Sequence, residues 1–303
     1  MVSVAEVADG IFRIESESAR KRGKAGLPLT TIQYLVVGQD MALIDVGPAT
    51  VLDDVLEGLR QLKCDPSALA YILPTHIHLD HAGGIVGLLA QSPKVKVAAL
   101  EVAARHLINP SRLIEGTKQA FGEDFEAEYG PILPVPENRV RIVNDGESLS
   151  LGDRELTVVY APGHASHHSM IYDSKTHGLF CGEALGNYYA SIDFVEVDHT
   201  PGFDPVRALE TMAKLKQLNP EVLFYSHDSY SQDVTRLVSL AEELTKGSGD
   251  LILEALRAGE SLGQIIKEVK DYRVQILGGE YPVDTLSRSV EAYVAYFKRK
   301  ALV

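Results

Sequence analysis

The chain has 303 residues, 45% of them hydrophobic and 23% charged, with a formal net charge of −13. That length and composition describe a globular protein with room for one large domain or two ordinary ones, not a disordered chain. The acidic balance argues against a nucleic-acid backbone or an anionic membrane as the main partner. The only two cysteines, Cys64 and Cys181, provide no disulfide framework.

The opening stretch MVSVAEVADGIFRIES lacks a basic region followed by a long apolar run, so no signal peptide is expected. No apolar run approaches the roughly 18 residues of a membrane span, and a cytoplasmic location is the default expectation. GIFRIES (10–16) and TIQYLVVG (31–38) read as strands, separated by a basic stretch SARKRGK (18–24) expected to be a solvated loop. MALIDVG (41–47) is a third strand, ending in Asp45 and a glycine. VLDDVLEGLRQL (51–62) carries apolar residues at helical spacing. ALAYIL (68–73) is a buried strand stopped by Pro74, GGIVGLLAQ (83–91) a helix and KVKVAAL (94–100) another strand.

Residues 101–130 read as largely helical, and GPILPVPENR (130–139) as a proline-rich connector. A second series of strands follows in RVRIVN, ELTVVYAPG, SMIYD and HGLFCGE. DPVRALETMAKLKQL (204–218) is an amphipathic helix with Pro205 in its first turn, and EVLFYSH (221–227) is the last strand. From Ser231 the pattern is helical only, with interruptions expected at KGSGD (246–250) and LGGEYPVD (277–284). Two successive strand–helix series suggest two sheets between helical layers, followed by a helical tail. The pattern leaves an ordinary doubly wound sheet open.

Between the strand at 68–73 and the helix at 83–91 stands LPTHIHLDHAGG, with three of the ten histidines within six positions. In extended backbone His76 and His78 share a face, so both imidazoles can address one object. Asp80 and His81 follow where a helix begins and can address a second point nearby. Imidazole and carboxylate are ligands for zinc, iron or manganese. The cluster is read as a metal site.

THIHLDHAGG resembles the signature of the metallo-β-lactamase superfamily. That family also has a strand ending in aspartate, a histidine in a PGH turn and a terminal histidine after a late strand. ALIDVG supplies Asp45, YAPGHASHH supplies His164 and LFYSHD supplies His227. The resemblance spans residues 9–230. It implies a four-layer αβ/βα sandwich with metals at its edge, a catalytic domain at 1–230 with a helical insertion near 101–130, and a helical C-terminal extension at 231–303. It further implies two divalent metal ions, zinc above all, with iron and manganese as alternatives. His76, His78 and His164 would bind one ion, and Asp80, His81 and His227 the other. The family's bridging aspartate falls on LFCGEALG, where this chain has Glu183, one methylene longer.

Asp45 is assigned to the far nitrogen of a ligating histidine. His167 and His168 are read as supporting or pocket-wall groups, Cys181 as a buried structural thiol, and His106, His177 and His199 as outside the pattern. Two ions can activate a bridging water as hydroxide near neutral pH, so the expected activity is hydrolysis of a small ester-like substrate (thioester, lactone or phosphoester). Asp80 would take the proton of the attacking water. Related lactonases carry a tyrosine after the bridging residue at different spacing, which makes Tyr188 the candidate donor to the reacting bond. The alternative from the same resemblance is an iron-dependent sulfur dioxygenase or another redox member. The expected partner is a small-molecule substrate, without nucleic acid or membrane, and a homo-oligomer stays open.

Overall fold

A computed structural model describes residues 2–16, 21–22, 28–29, 31–122, 125–197, 200–279 and 286–303. Most of the basic stretch 18–24, part of LGGEYPVD and His199 lie outside the described residues. In chain order the first strands are β1 (Val2–Ala8), β2 (Ile11–Ser16), the short β3 (Lys21–Arg22) and β4 (Pro28–Leu29), β5 (Ile32–Val37) and β6 (Met41–Ile44). Helix α1 (Leu52–Gln61), β7 (Leu69–Leu73), α2 (Leu79–Ala82), α3 (Ile85–Gln91) and β8 (Lys96–Leu100) follow. The expected helical insertion forms α4 (Glu101–Ile108), α5 (Ser111–Phe121) and α6 (Phe125–Tyr129). The second series runs β9 (Val140–Val143), β10 (Ser148–Ser150), β11 (Glu155–Tyr160), β12 (Ser169–Asp173) and β13 (Gly178–Gly182). It continues with β14 (Asn187–Tyr189), β15 (Phe194–Glu196), α7 (Pro205–Leu218), β16 (Val222–Tyr225) and β17 (Tyr230–Ser231). Helices α8 (Val234–Arg257), α9 (Leu262–Leu277) and α10 (Leu286–Arg299) complete the chain.

The strands form a seven-stranded sheet, β1-β2-β5-β6-β7-β8-β9, and a six-stranded sheet, β10-β11-β12-β13-β16-β17. Two-residue alternation explains how both sheets bury both faces. On β5 and β6, Tyr34, Val36, Ala42 and Ile44 point into a core shared with Leu156, Val158, Ile171, Phe180 and Phe224 of the second sheet. Their neighbours Leu35 and Leu43 point outward into a core built with Val55 and Leu59 of α1 and Leu88 of α3. On the second sheet, Val159, Leu179, Leu223 and Tyr225 turn outward against Met212 and Leu215 of α7 and Leu237 and Leu244 of α8. The layers are therefore helix, sheet, sheet, helix, the four-layer αβ/βα sandwich rather than one doubly wound sheet.

Polar groups join the layers as well. The Arg154 guanidinium lies 2.6 and 2.8 Å from the Asp173 carboxylate and donates to the carbonyls of Asp9 and Val37 at 3.0 Å. Both side chains are fully buried, so removing either partner leaves a charge uncompensated, at about 3–5 kcal/mol. The C-terminal helices pack through Ile252, Ile265, Val269, Val290 and Tyr293. Arg273 of α9, also fully buried, donates to Ser248 of α8 and Ser289 of α10 and pairs with Glu196 of β15. KGSGD does not interrupt the tail: it lies inside α8. A Cβ on Gly247 would overlap the Tyr272 hydroxyl and one on Gly249 would press on the Tyr293 ring at 3.0 Å. These glycines let α9 and α10 approach closely.

Candidate metal centre

The ends of five strands from both sheets meet at one edge: β6 delivers Asp45, β7 the histidine motif, β11 His164, β13 Glu183 and β16 His227. The sheets are joined there. Ile32 donates to the Ser226 carbonyl at 2.8 Å, Thr31 bridges to His227, and Arg13 donates to the Asp228 carbonyl at 2.9 Å. Pro74 ends β7, and the chain bends at Thr75 and His76 before His78 (φ −60°, ψ 152°), where α2 starts. His76 and His78 come together on one side, while the helical turn swings Asp80 and His81 to another.

Two donor groups result. His76, His78, His164 and Glu183 form one, and Asp80, His81 and His227 the other; within each, one ligand atom per residue lies within 4.8 Å of all the rest. In the first group His78 Nδ1 is 2.9 Å from His76 Nε2 and 3.2 Å from His164 Nε2. Tetrahedral zinc with bonds of about 2.0–2.1 Å holds its ligand atoms about 3.3 Å apart, close to this spacing. In the second group Asp80 Oδ2 is 3.4 Å from His81 Nε2 and 3.6 Å from His227 Nε2. His81 Nε2 is buried and makes no hydrogen bond, although Asp80 and Glu183 oxygens each lie at 3.4 Å. A buried nitrogen aimed at carboxylates but bonded to none suits a cation between them. The donor set fits two divalent ions.

Glu183 lies between the groups. Its Oε2 is 3.2 Å from His76 Nε2, 3.1 Å from His164 Nε2 and 3.4 Å from His81 Nε2, and its Oε1 is 3.8 Å from His227 Nε2. Gly182 at φ 56° makes this approach feasible, because a Cβ there would sit 2.5 Å from His168 Nε2. His168 in turn accepts the Glu183 backbone N–H at 3.1 Å and so fixes where the carboxylate starts. Gly163 of the PGH turn has φ 147°, and any side chain on it would overlap Ala208 of α7.

Asp45 connects the groups from behind. Its carboxylate accepts from Thr75 N at 2.7 Å, Thr75 Oγ1 at 3.0 and 3.1 Å, Ser226 Oγ at 2.8 Å and His81 Nδ1 at 3.0 Å. Holding His81 Nδ1 as the donor leaves Nε2 free to face a metal. Thr75 Oγ1 is also 3.1 Å from His76 Nδ1, so the same carboxylate reaches His76 through a hydroxyl. Thr75 and Ser226 carry no sequence signal of their own, and only the meeting of β7 and β16 reveals them.

Electrostatics match a donor cluster. Burial holds His76 well below the usual imidazole range, reinforced by His81 and His78, and lowers His78 to about 4 with help from His164. Burial opposes ionisation of Asp80 and Glu183, but the surrounding imidazoles outweigh it and keep both carboxyls below their ordinary range. Burial also opposes charge on His81, yet Asp80 and Asp45 prevail and raise it. His76 and His78 are thus neutral beside ionised carboxylates, the protonation states in which metals bind, whereas His81 must lose a proton for its Nε2 to take an ion.

The remaining candidates separate. The Tyr188 hydroxyl donates to Asp193 at 3.0 Å and its ring packs 5.8 Å from Tyr225, in the core beneath the second sheet. Cys181 is fully buried with its thiol toward the Phe224 carbonyl. His177 is a turn residue bonded to Tyr172. His167 stands at the site, 5.3 Å from the His78 ring and parallel to His76 at 6.1 Å. A second tyrosine, not singled out in the sequence, is also affected by the site: burial, then the negative charge of Asp80, and then Glu128, to which it is hydrogen-bonded, raise the Tyr129 hydroxyl above its ordinary value. Its segment is anchored beside the motif: Thr50 donates to the Glu128 carbonyl at 2.9 Å, and Gly83 packs on the same Pro48–Ala49 turn.

Among the described residues no helix is long and apolar enough to cross a membrane. The chain is 24% identical over 259 residues to a metallo-beta-lactamase fold-containing protein of Sulfurisphaera tokodaii, covering 84% of this chain and 91% of that one. It is 29% identical over 142 residues to a hydroxyacylglutathione hydrolase of Legionella pneumophila, a match that spans only 44% of that protein and 45% of this one. A solved metallo-beta-lactamase family protein from Thermus thermophilus superposes with a TM-score of 0.68 at 19% identity, over 98% of this chain and 95% of that one. Residues 29–227, well over half the chain and spanning every donor named above, match the family model of the metallo-beta-lactamase superfamily, and the chain belongs to that superfamily.

Proposed function

We propose that this protein is a hydrolase with two divalent metal ions acting on a small ester-type substrate. The observation that supports this reading most directly is Glu183, with one oxygen 3.1–3.4 Å from nitrogens of both groups and the other toward His227. His76, His78 and His164 would hold one ion, Asp80, His81 and His227 the other, with Glu183 between. Ions held there would lower the pKa of a water toward neutrality and polarise the scissile carbonyl or phosphoryl.

The chain's own residues supply the rest. Asp80, with 29% of its side chain exposed, can both hold an ion and accept the proton of the attacking water. Asp45 and Thr75 fix the imidazole tautomers. Tyr129, under the influence of Asp80, is a second candidate donor to the reacting bond beside Tyr188; each hydroxyl already has a carboxylate partner, Glu128 and Asp193 respectively. Thioesters head the substrate classes because of the hydroxyacylglutathione hydrolase match, followed by lactones and phosphoesters.

The test is a hydrolysis screen over those three classes with zinc-, iron- and manganese-loaded protein, run beside an oxygen electrode. Hydrolysis that tracks metal content is expected. Oxygen uptake from a thiol substrate without hydrolysis would replace this reading with the redox one.

A further inference from the structure

Helices α4 and α5 shape an open cleft of about 450 Å³ lined by Arg105, His106, Asn109, Ser111 and Arg112. Every lining residue carries a hydrogen-bond donor, and two are guanidinium groups. In a chain of net charge −13 such a surface stands out. Arg13, Arg60, Arg154, Arg207, Arg236 and Arg273 each rest against a carboxylate. Arg105 and Arg112 form no ion pair with any described residue, yet both bear on His106, whose basicity falls first through burial and then through these two charges. Two cations kept together without an internal counter-charge leave an electrostatic demand that an anion would meet.

The cleft borders the histidine motif through a single residue, across a cavity of only about 20 Å³. His106 also lines an apolar cavity whose wall includes Ile77, Leu79, Ala82 and Gly83 of the histidine motif.

We propose that this cleft binds an anion, a carboxylate or a phosphate monoester. The anion site does not rest on the hydrolase reading. Guanidinium pairs with both anions in the same forked geometry, so the carboxylate and the phosphate are separate arms of the test.

The probes are phenyl phosphate and benzoate, titrated into metal-loaded protein and followed by backbone amide shifts. Saturable shifts at residues 105–112 are expected from at least one probe, and Arg105→Gln with Arg112→Gln should abolish them without altering metal content. Which probe shifts those residues identifies the anion. Shifts confined to the metal ligands and their neighbours, or persisting unchanged in the double variant, would overturn the proposal. Both arginines are exposed, and an unchanged melting temperature verifies that the variant is folded.

Discussion

Asp45→Asn separates the support of the site from the site itself. The residue is 1% exposed and sits at φ 55°, a backbone conformation that asparagine tolerates well, so the exchange changes charge and donor pattern with little backbone penalty. In the native protein four donors converge on this carboxylate, from Thr75 N and Oγ1, Ser226 Oγ and His81 Nδ1. An amide replaces one acceptor oxygen by a donor and sets it against at least one of them. The lost charge-assisted bond to His81 costs about 1.5–3 kcal/mol, and the whole change about 3–5 kcal/mol of stability. Orientation of both groups suffers, His81 directly and His76 through Thr75, so each should lose about 10–100-fold in metal affinity. Thr75→Val is the control. It removes the hydroxyl 3.1 Å from His76 Nδ1 but keeps the backbone N–H that bonds Asp45, so only the His76, His78, His164 group should weaken. Chelator competition that resolves two binding steps, read alongside thermal melting, measures both variants. Equal weakening of both steps by Thr75→Val, or unchanged affinities in folded Asp45→Asn, would refute the relay.

Other expectations concern charge and reach. Glu183→Gln should lose one of two ions on elemental analysis, whereas Glu183→Asp should keep both and lose about a hundredfold in kcat, because reach changes by roughly an ångström. Asp80→Ala should abolish turnover while the melting temperature stays near that of the wild type; near-normal kcat with metal bound would remove Asp80 from the mechanism. Tyr129→Phe should lower kcat about tenfold or more at unchanged metal content, and Tyr188→Phe should not; the reverse pattern would assign the donor role to Tyr188. Burial works against ionisation of Asp173, but Arg154 and Thr176 hold its carboxyl below the ordinary value of about 3.9. A carboxyl depressed in the folded state stabilises fully above its unfolded pKa and loses that contribution as pH falls through the folded one. The stability deficit of Asp173→Asn, from urea midpoints, should therefore be constant above about pH 5 and shrink below about pH 4; a deficit that grows on acidification would contradict the pairing.

The residues of the two donor groups were legible because each stands in a short local pattern. H-x-H-x-D-H after a strand puts His76 and His78 within reach of each other, although the chain bends at Thr75 and His76 rather than running extended, and PGH and YSH mark His164 and His227 at strand ends. Two-residue alternation exposed both sheets, since Tyr34 and Leu35 must face different layers. Local patterns misled where a residue's purpose lies in a neighbour distant in sequence. Glycines in KGSGD read as a helix break, yet they are contact points for Tyr272 and Tyr293, and an isolated sequence cannot tell a breaker from a close approach.

For the tyrosines the sequence shows only nearness in the chain, as between Tyr188 and Glu183; their hydroxyl partners, Asp193 for Tyr188 and Glu128 for Tyr129, come from packing. The sequence by itself determined the ligand types, their order and the layered fold, because these follow from backbone periodicity and side-chain chemistry. Only the tertiary structure decided that one carboxylate at Asp45 steadies both donor groups, that Glu183 reaches both, and that Arg105 and Arg112 share a cleft. Those are meetings of strand and helix ends far apart in the chain, set by how the layers pack.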